Sequence, residues 1–118
     1  MTDRTDIDLG DLRARLIAER DDLMQLTAAG HEARLPVELD QTTVGRLSRM
    51  DAMQNQAMSI ETERRRQVEL RRIEAALERM EHGEFGYCVN CGEAIAAKRL
   101  ELDPTTPVCI DCARSGAT

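Results

Sequence analysis

The stretch FGYCVNCGEAIAAKRLELDPTTPVCIDC, residues 85–112, holds all four cysteines of this 118-residue chain. They are spaced C-x2-C-x17-C-x2-C, at Cys88, Cys91, Cys109 and Cys112. Two residues between paired cysteines let one tight turn direct both sulfurs at one ion, and Gly92 lets the backbone fold back behind the first pair. Two such pairs supply the tetrahedral thiolate set that zinc prefers. The spacing therefore predicts one structural zinc ion per chain, with no position left for water.

Two other uses of the cysteines stay open on spacing alone, an iron site of the rubredoxin type and a redox dithiol of the thioredoxin type. A redox pair is typical of a βαβ context, and no βαβ pattern is present. Few apolar residues are available to build a core within residues 83–113: Phe85, Tyr87, Ile95, Leu100, Leu102, Val108 and Ile110. We therefore expect the metal to contribute directly to the stability of this segment.

Upstream of the cysteines, leucines repeat with the 3-4-7-3 steps of a coiled-coil seam. They are Leu9, Leu12, Leu16, Leu23 and Leu26. The pattern predicts a frayed polar start at residues 1–8 and a first helix over about 8–29, ended by Gly30. Pro36 interrupts the connection 30–40. A second helix without proline is predicted over about 41–82.

A helix of that length needs a partner, and the short connection makes the first helix its antiparallel neighbour. We pair Leu26 with Leu47, which places Glu19 opposite Gln54 as a polar pair that fixes the register. A second apolar stripe then lies beyond the reach of helix 1, at Leu70, Ile73, Leu77 and Met80. The predicted fold is mainly α, an antiparallel two-helix coiled-coil hairpin (1–82) with a small C-terminal four-cysteine zinc finger and tail (83–118). Because the seam is separate from the finger, we expect the hairpin to stay largely helical when the finger loses its metal.

Composition and charge exclude several classes of protein. One Phe, one Tyr and no Trp are too few aromatics for a compact core of this size. A net charge of -6 argues against a general nucleic-acid binder. The polar N-terminus shows no signal peptide and no apolar run could span a membrane, so we expect a cytoplasmic protein without a membrane partner. No nucleophile–base pair or phosphate loop is visible, and we expect no enzymatic activity.

Charged residues at two places in the hairpin are candidate partner contacts. At the tip, Glu38 and Asp40 are either solvated loop acids or ligands for a metal or a basic cleft, while Asp51 lies one step from the apolar seam. Further along helix 2, arginines alternate with glutamates. The arginines of this arm are Arg64, Arg65, Arg71 and Arg72. They form either a solvated face of intrahelical ion pairs or a contact surface for an acidic partner.

The finger resembles that of the DksA/TraR family of bacterial zinc-finger proteins. The residues that carry the resemblance stand at the family spacing: Cys88, Cys91, Ile95, Arg99, Pro104, Cys109 and Cys112. Val89 departs from the acid or serine that the family usually has there. The preceding hairpin also resembles the family, so the resemblance extends over nearly the whole chain.

The resemblance implies a monomeric regulator that binds bacterial RNA polymerase, inserts its coiled-coil tip into the secondary channel and contacts no specific DNA sequence. Better-studied members carry Asp-x-x-Asp-x-Ala at the tip. The corresponding residues here are Asp40, Thr43 and Gly45, so only the first acid is kept. No residue is assigned to the alarmone ppGpp, which some members bind. There are two rival interpretations. One is a coiled-coil interaction adaptor in which zinc only stabilises the finger, and the other is a metal-dependent or thiol enzyme.

Overall fold

The computed structural model describes residues 4–33 and 46–116, and side chains within 4–30 and 49–116. It contains four helices: α1 (Leu9–Ala33), α2 (Arg46–Glu81), α3 (Ala97–Leu102) and α4 (Ile110–Ser115). The only β-type pairing in the described residues is an antiparallel bridge between Tyr87 and Ala94. The predicted fold class, a helical hairpin with a small four-cysteine finger, is confirmed. None of the helices in the described ranges is long and apolar enough to cross a bilayer.

The two ends of α1 differ in how well the sequence predicted them. Asp8 caps the helix, because its Oδ1 accepts a hydrogen bond from the Asp11 amide at 3.0 Å. At the other end, the prediction that Gly30 ends the helix is wrong, since α1 continues to Ala33. A glycine inside a helix costs only about 1 kcal/mol relative to alanine. The alanines and other helix formers on both sides of Gly30 outweigh that cost.

The C-terminus of α2 closes in a Schellman motif that turns the chain into the finger. The Glu84 amide donates to the Arg79 carbonyl at 2.8 Å, and the Gly83 amide donates to the Met80 carbonyl at 3.3 Å. Gly83 adopts a φ of +70°, which glycine reaches without steric cost. This geometry fixes the direction in which the chain leaves the hairpin.

The apolar core lies at the finger end of the hairpin and crosses residue 83, the predicted domain boundary. We call it the core cluster. It consists of Leu12 and Leu16 of α1, Ile73, Ala76 and Met80 of α2, and Phe85, Cys88, Ile95, Leu100, Val108 and Cys112 of the finger, with Ile7, Leu23, Leu77 and Cys109 packed against it. The few apolar residues of the finger therefore complete their core against the hairpin.

The predicted helix register is wrong. Leu26 lies beside Arg66, whose Nη1 donates to the Leu26 carbonyl at 3.5 Å, and Thr27 Oγ1 donates to Glu63 at 3.2 Å. The α1 seam thus packs on the stripe that was predicted to lie beyond its reach. Leu12 and Leu16 are buried there with Ile73, Met80 and the finger, whereas Met50, Met53 and Met58 of α2 stay exposed, so apolar burial favours the observed register.

The same shift moves Glu19 away from Gln54 and towards the finger. Partial burial raises the pKa of the Glu19 carboxyl, and the nearby carboxylates of Glu69 and Asp103 raise it further. The polar position in the α1 seam therefore faces charged groups rather than a neutral register partner.

Candidate metal centre

The first cysteine pair sits on a tight turn that we call the first knuckle, residues 86–95. The Cys88 amide donates to the Glu93 carbonyl at 2.8 Å, and the Ile95 amide donates to the Gly86 carbonyl at 2.8 Å. Gly92 donates back to the Cys88 carbonyl at 2.9 Å with a φ of +78°, as expected for the glycine behind the pair. The turn thus brings both sulfurs of the pair to one side of the backbone.

The second pair lies on the second knuckle, residues 107–112, where the chain enters α4. Cys109 is the N-cap residue of α4, and Cys112 follows in the first turn of that helix. The Val89 amide donates to the Pro107 carbonyl at 2.9 Å and joins the two knuckles directly. Arg99 supports the second knuckle from α3, because its Nε donates to the Val108 carbonyl at 3.2 Å.

The four sulfurs meet in one cluster. The Sγ atoms of Cys88, Cys91, Cys109 and Cys112 all lie within 4.8 Å of one another, and those of Cys91 and Cys109 are 3.6 Å apart. Tetrahedral zinc with zinc–sulfur bonds of about 2.3 Å separates its sulfurs by about 3.8 Å. The spacing of the donor set therefore fits one zinc ion, and four thiolates complete its coordination.

The surroundings of Cys88 and Cys91 shift the pKa values of the two thiols in opposite directions. Burial opposes ionisation of Cys88, but backbone amides, led by that of Cys91, outweigh it and lower the pKa of the thiol to about 6. The Glu93 amide favours the Cys91 thiolate, yet burial and the neighbouring sulfurs together raise the pKa of Cys91 to about 12. Thiol ligands must lose their protons to bind zinc. Within the first pair, the surroundings therefore favour the thiolate of Cys88 over that of Cys91.

Hydrogen-bond donors surround the sulfurs as well. The Cys91 amide lies 3.4 Å from the Cys88 Sγ and donates to it, and the Asn90 side-chain amide donates to the Cys112 Sγ at 3.4 Å. Such contacts in the second coordination sphere orient thiolates and offset their charge. Asn90 was not among the predicted site residues, although its place between the paired cysteines is a signal.

A contact that sequence reasoning missed reaches the first knuckle from the start of the chain. Arg4 Nη1 donates to the carbonyl of Gly86 at 2.8 Å and to that of Ile95. Arg4 Nε and Nη2 donate to the Asp6 carboxylate at 3.0 and 2.6 Å. The prediction of a frayed start is therefore wrong for residues 4–8. A lone arginine in a polar segment carries no periodicity or motif that would have revealed this role.

An ion-pair network joins the finger to α2. Arg72 donates to Glu69 at 3.2 Å and to Asp103, in the loop after α3, at 3.1 Å. Partial burial of Asp103 is outweighed by hydrogen bonds from Thr105 and by Arg72, so the pKa of Asp103 lies below its usual value. Arg72 was predicted as a partner contact, and here it also holds the finger on the hairpin.

The other predicted partner contacts lie apart from the metal centre. Arg64 and Arg65 both donate to Glu61, at 2.7 and 3.3 Å, and hydrogen bonding by Arg64 leads the effects that lower the pKa of Glu61 to about 2. Arg71 is exposed and forms no ion pair or hydrogen bond within the described residues. Asp51 is exposed on α2. The predicted tip residues Glu38, Asp40 and Thr43 lie outside the described residues.

Comparison with known proteins identifies relatives of the finger. Residues 83–115 match the model of the prokaryotic dksA/traR C4-type zinc finger. Over 43 residues the chain is 49% identical to the RNA polymerase-binding transcription factor DksA of Haemophilus influenzae and 46% identical to that of Escherichia coli K12. The match covers 36% of this chain but only 30% and 28% of those relatives.

The fold resembles a solved structure over a longer stretch. Transcription factor DksA2 from Pseudomonas aeruginosa superposes with a TM-score of 0.74 at 22% identity, covering 92% of this chain and 81% of that one. The likeness shows that the hairpin and the finger are arranged alike in both proteins. The finger therefore matches the prokaryotic dksA/traR C4-type zinc finger over residues 83–115, and the chain shares the fold of DksA2.

Proposed function

We propose that the protein binds bacterial RNA polymerase in the cytoplasm and regulates transcription by inserting the hairpin tip into the secondary channel. The observation that carries the proposal is the finger, which matches relatives named as RNA polymerase-binding transcription factors. In this proposal the finger holds one zinc ion on Cys88, Cys91, Cys109 and Cys112 and has a structural role. The protein acts as a non-enzymatic regulator without sequence-specific DNA binding.

The shape of the hairpin supports insertion into a narrow opening. The structure measures 66 × 30 × 20 Å along its principal axes. The 36 residues of α2 alone extend about 54 Å at 1.5 Å per residue. The finger and the core cluster occupy one end of this rod. A two-helix rod of that kind is long enough to reach from the surface of a large partner to a buried site.

The charges of the hairpin support a protein partner over DNA. Arg64 and Arg65 share Glu61, and Arg72 contacts two acids, so these guanidinium groups are largely offset within the chain. DNA binding requires several basic groups that remain available to phosphates. Arg71 remains available for one contact with an acidic surface.

Co-elution with polymerase tests the proposal. The zinc-loaded 118-residue chain, mixed with core RNA polymerase from the same bacterium, should elute with it from a sizing column. If the folded, zinc-loaded protein elutes alone, the proposal fails and the rival role as a zinc-stapled adaptor is favoured.

Photo-cross-linking tests the insertion separately. A photoreactive residue at Met53, which is 69% exposed on α2, should cross-link to segments that line the secondary channel. Leu102 on the finger is 87% exposed and is the matched control, because its cross-links should fall outside the channel. Cross-links from both positions to the outer surface alone would contradict insertion.

The tip acids give a functional test. Asp40→Asn should change transcription by purified polymerase while binding is nearly unchanged, because a carboxylate near a magnesium-bound active centre acts through its charge. Asp51→Asn is the comparison variant. An effect of Asp51→Asn alone would move the active acid from the tip connection onto α2.

A further inference from the structure

We propose that Arg4 is a positioning residue for the metal centre. It holds the base of the first knuckle in the geometry that directs Cys88 and Cys91 at one ion. It acts through the two backbone carbonyls of Gly86 and Ile95, and this role is independent of the proposed binding to polymerase.

The two carbonyls that Arg4 contacts stand at opposite ends of the first knuckle. The Ile95 amide donates to the Gly86 carbonyl at 2.8 Å, and this hydrogen bond closes the base of the first knuckle. One guanidinium nitrogen bonded to both carbonyls therefore resists separation of the two ends. Because Cys88 and Cys91 lie between those ends, the same contact restrains the distance between their sulfurs.

The site is shaped for a guanidinium group. The Arg4 side chain is only 10% exposed, and Asp6 binds its other edge through two hydrogen bonds. Hydrogen bonding to Arg4 leads the effects that lower the pKa of Asp6, so the pair stays charged at neutral pH. A lysine has a single donor nitrogen, so it could not bond both oxygens of Asp6 through separate nitrogens while also bonding the two knuckle carbonyls. The chemistry of this contact therefore selects arginine.

The knuckle backbone is in turn shaped to admit Arg4. Gly86 adopts a φ of +93°, and a Cβ built there would lie 3.0 Å from the Arg4 Cδ and 3.2 Å from its Nη1. A side chain at residue 86 would thus displace the guanidinium group. The close approach shows that the two segments are fitted to each other.

The contact also links the metal centre to the start of α1. Ile7 packs against the core cluster, and Asp8 caps α1 two residues after Asp6. Arg4 is therefore held on a short, anchored segment rather than on a free terminus. By linkage, a contact that strengthens metal binding is itself strengthened when the metal is bound.

Competition with a chromophoric chelator tests the proposal through the zinc dissociation constant. Arg4→Met should raise that constant by about tenfold or more, the usual effect of losing a group that orients metal ligands. Arg4→Lys should have an intermediate effect, because it keeps the charge and one donor nitrogen but loses the paired hydrogen bonds to Asp6. Arg13→Met is the matched control, since Arg13 is exposed on α1 and forms no hydrogen bond or ion pair within the described residues.

Leu23→Ala separates positioning from general stability. Leu23 packs at the hairpin side of the core cluster, away from the first knuckle. This variant should lower the stability of the shared core, and its zinc affinity should fall only in proportion to that loss, whereas Arg4→Lys should lose more zinc affinity than its own loss of stability explains. Hydrogen exchange of the Cys88 and Ile95 amides in zinc-saturated protein should accelerate in Arg4→Lys and not in Leu23→Ala. The proposal is overturned if Arg4→Met and Arg4→Lys bind zinc like the wild type, or if their loss of zinc affinity relative to their loss of stability is no larger than that of Leu23→Ala.

Discussion

At the scale of single residues, two glycines with positive φ show different demands on the backbone. Gly83 ends α2 with a φ of +70°, and a Cβ there would meet no atom within 4 Å. Gly86 has a φ of +93° and is also crowded by Arg4. A left-handed backbone costs a residue other than glycine about 1–2 kcal/mol. A side chain at residue 86 would add a steric clash with Arg4 to this backbone cost, whereas a side chain at residue 83 would not.

We predict that Gly86→Ala destabilises the protein more than Gly83→Ala. The latter should cost about 1–2 kcal/mol from its backbone alone, whereas the former should cost more because its methyl group displaces Arg4. Urea unfolding of the zinc-loaded proteins measures both values. In an Arg4→Ala background the difference between the two glycine variants should shrink. An undiminished difference in that background would show that Arg4 is not the group displaced.

At the scale of helices and turns, local patterns predicted which elements form, and competition between surfaces decided how they pack. Cysteine spacing was sufficient for the metal cluster, because the ligands lie close in the sequence and their geometry is local. The register could not be obtained in the same way. The helical repeat allows Leu26 to pair with Leu47. The observed register depends instead on how much apolar surface the finger buries around Ile73 and Met80, and the repeat carries no information about that burial. Arg4 was missed because its contacts with the first knuckle are non-local.

The position of Glu19 gives a pH-dependent prediction at the level of helix packing. Burial and the neighbouring acids raise the pKa of Glu19 in the folded state above its unfolded value. Its ionised form is therefore less favourable in the folded protein, and the wild type loses stability as pH rises through that folded pKa. Glu19→Gln should stabilise the protein at pH 7 by less than about 1 kcal/mol.

The advantage of Glu19→Gln should diminish as pH is lowered from 7 towards the raised folded-state pKa of Glu19, where the wild-type carboxyl gains its proton. Urea unfolding at several pH values measures the trend. Glu74→Gln, an exposed change on α2, serves as the control. A growing advantage at lower pH would contradict the direction of the pKa shift.

The arginines of the arm differ in whether their charge is already paired with an acid of the same chain. If the arm contacts an acidic surface of polymerase, Arg71→Glu should weaken binding by about 1 kcal/mol, roughly fivefold. Arg64→Glu should cost less, because Glu61 already offsets Arg64. The loss for Arg71→Glu should be larger at low salt, where charges are less screened. Titration of labelled protein with polymerase at two salt concentrations measures both, and equal effects of the two variants would exclude a specific role for Arg71.

At the scale of the whole molecule, the core shared by the hairpin and the finger changes the expected effect of zinc removal on the hairpin. Ile95, Leu100 and Val108 of the finger pack in the same core cluster as Leu12 and Leu16 of α1. The sequence had suggested a hairpin that stays helical without the finger. A core that spans both parts instead predicts that they unfold together, because neither buries enough apolar surface alone.

We predict that zinc removal lowers helix content by more than α3 and α4 can supply, since each contains only six residues. Cys109→Ser should have the same effect. Circular dichroism at rising chelator concentration measures the loss, and added zinc should restore the wild type but not the variant. A hairpin that melts at the same temperature with and without zinc would show that the two parts fold independently.

The core cluster also stops well short of the far end of the hairpin. Beyond Leu23 on α1 and Leu70 on α2, apolar side chains such as Leu26, Met50 and Ile60 are at least half exposed. Stability is therefore concentrated at the finger, and the distal helices contribute little to it. A heptad gained or lost by both helices would change the reach of the tip by about 10.5 Å while leaving the folded base intact. The depth to which the hairpin extends is thus free to evolve separately from the fold that supports it.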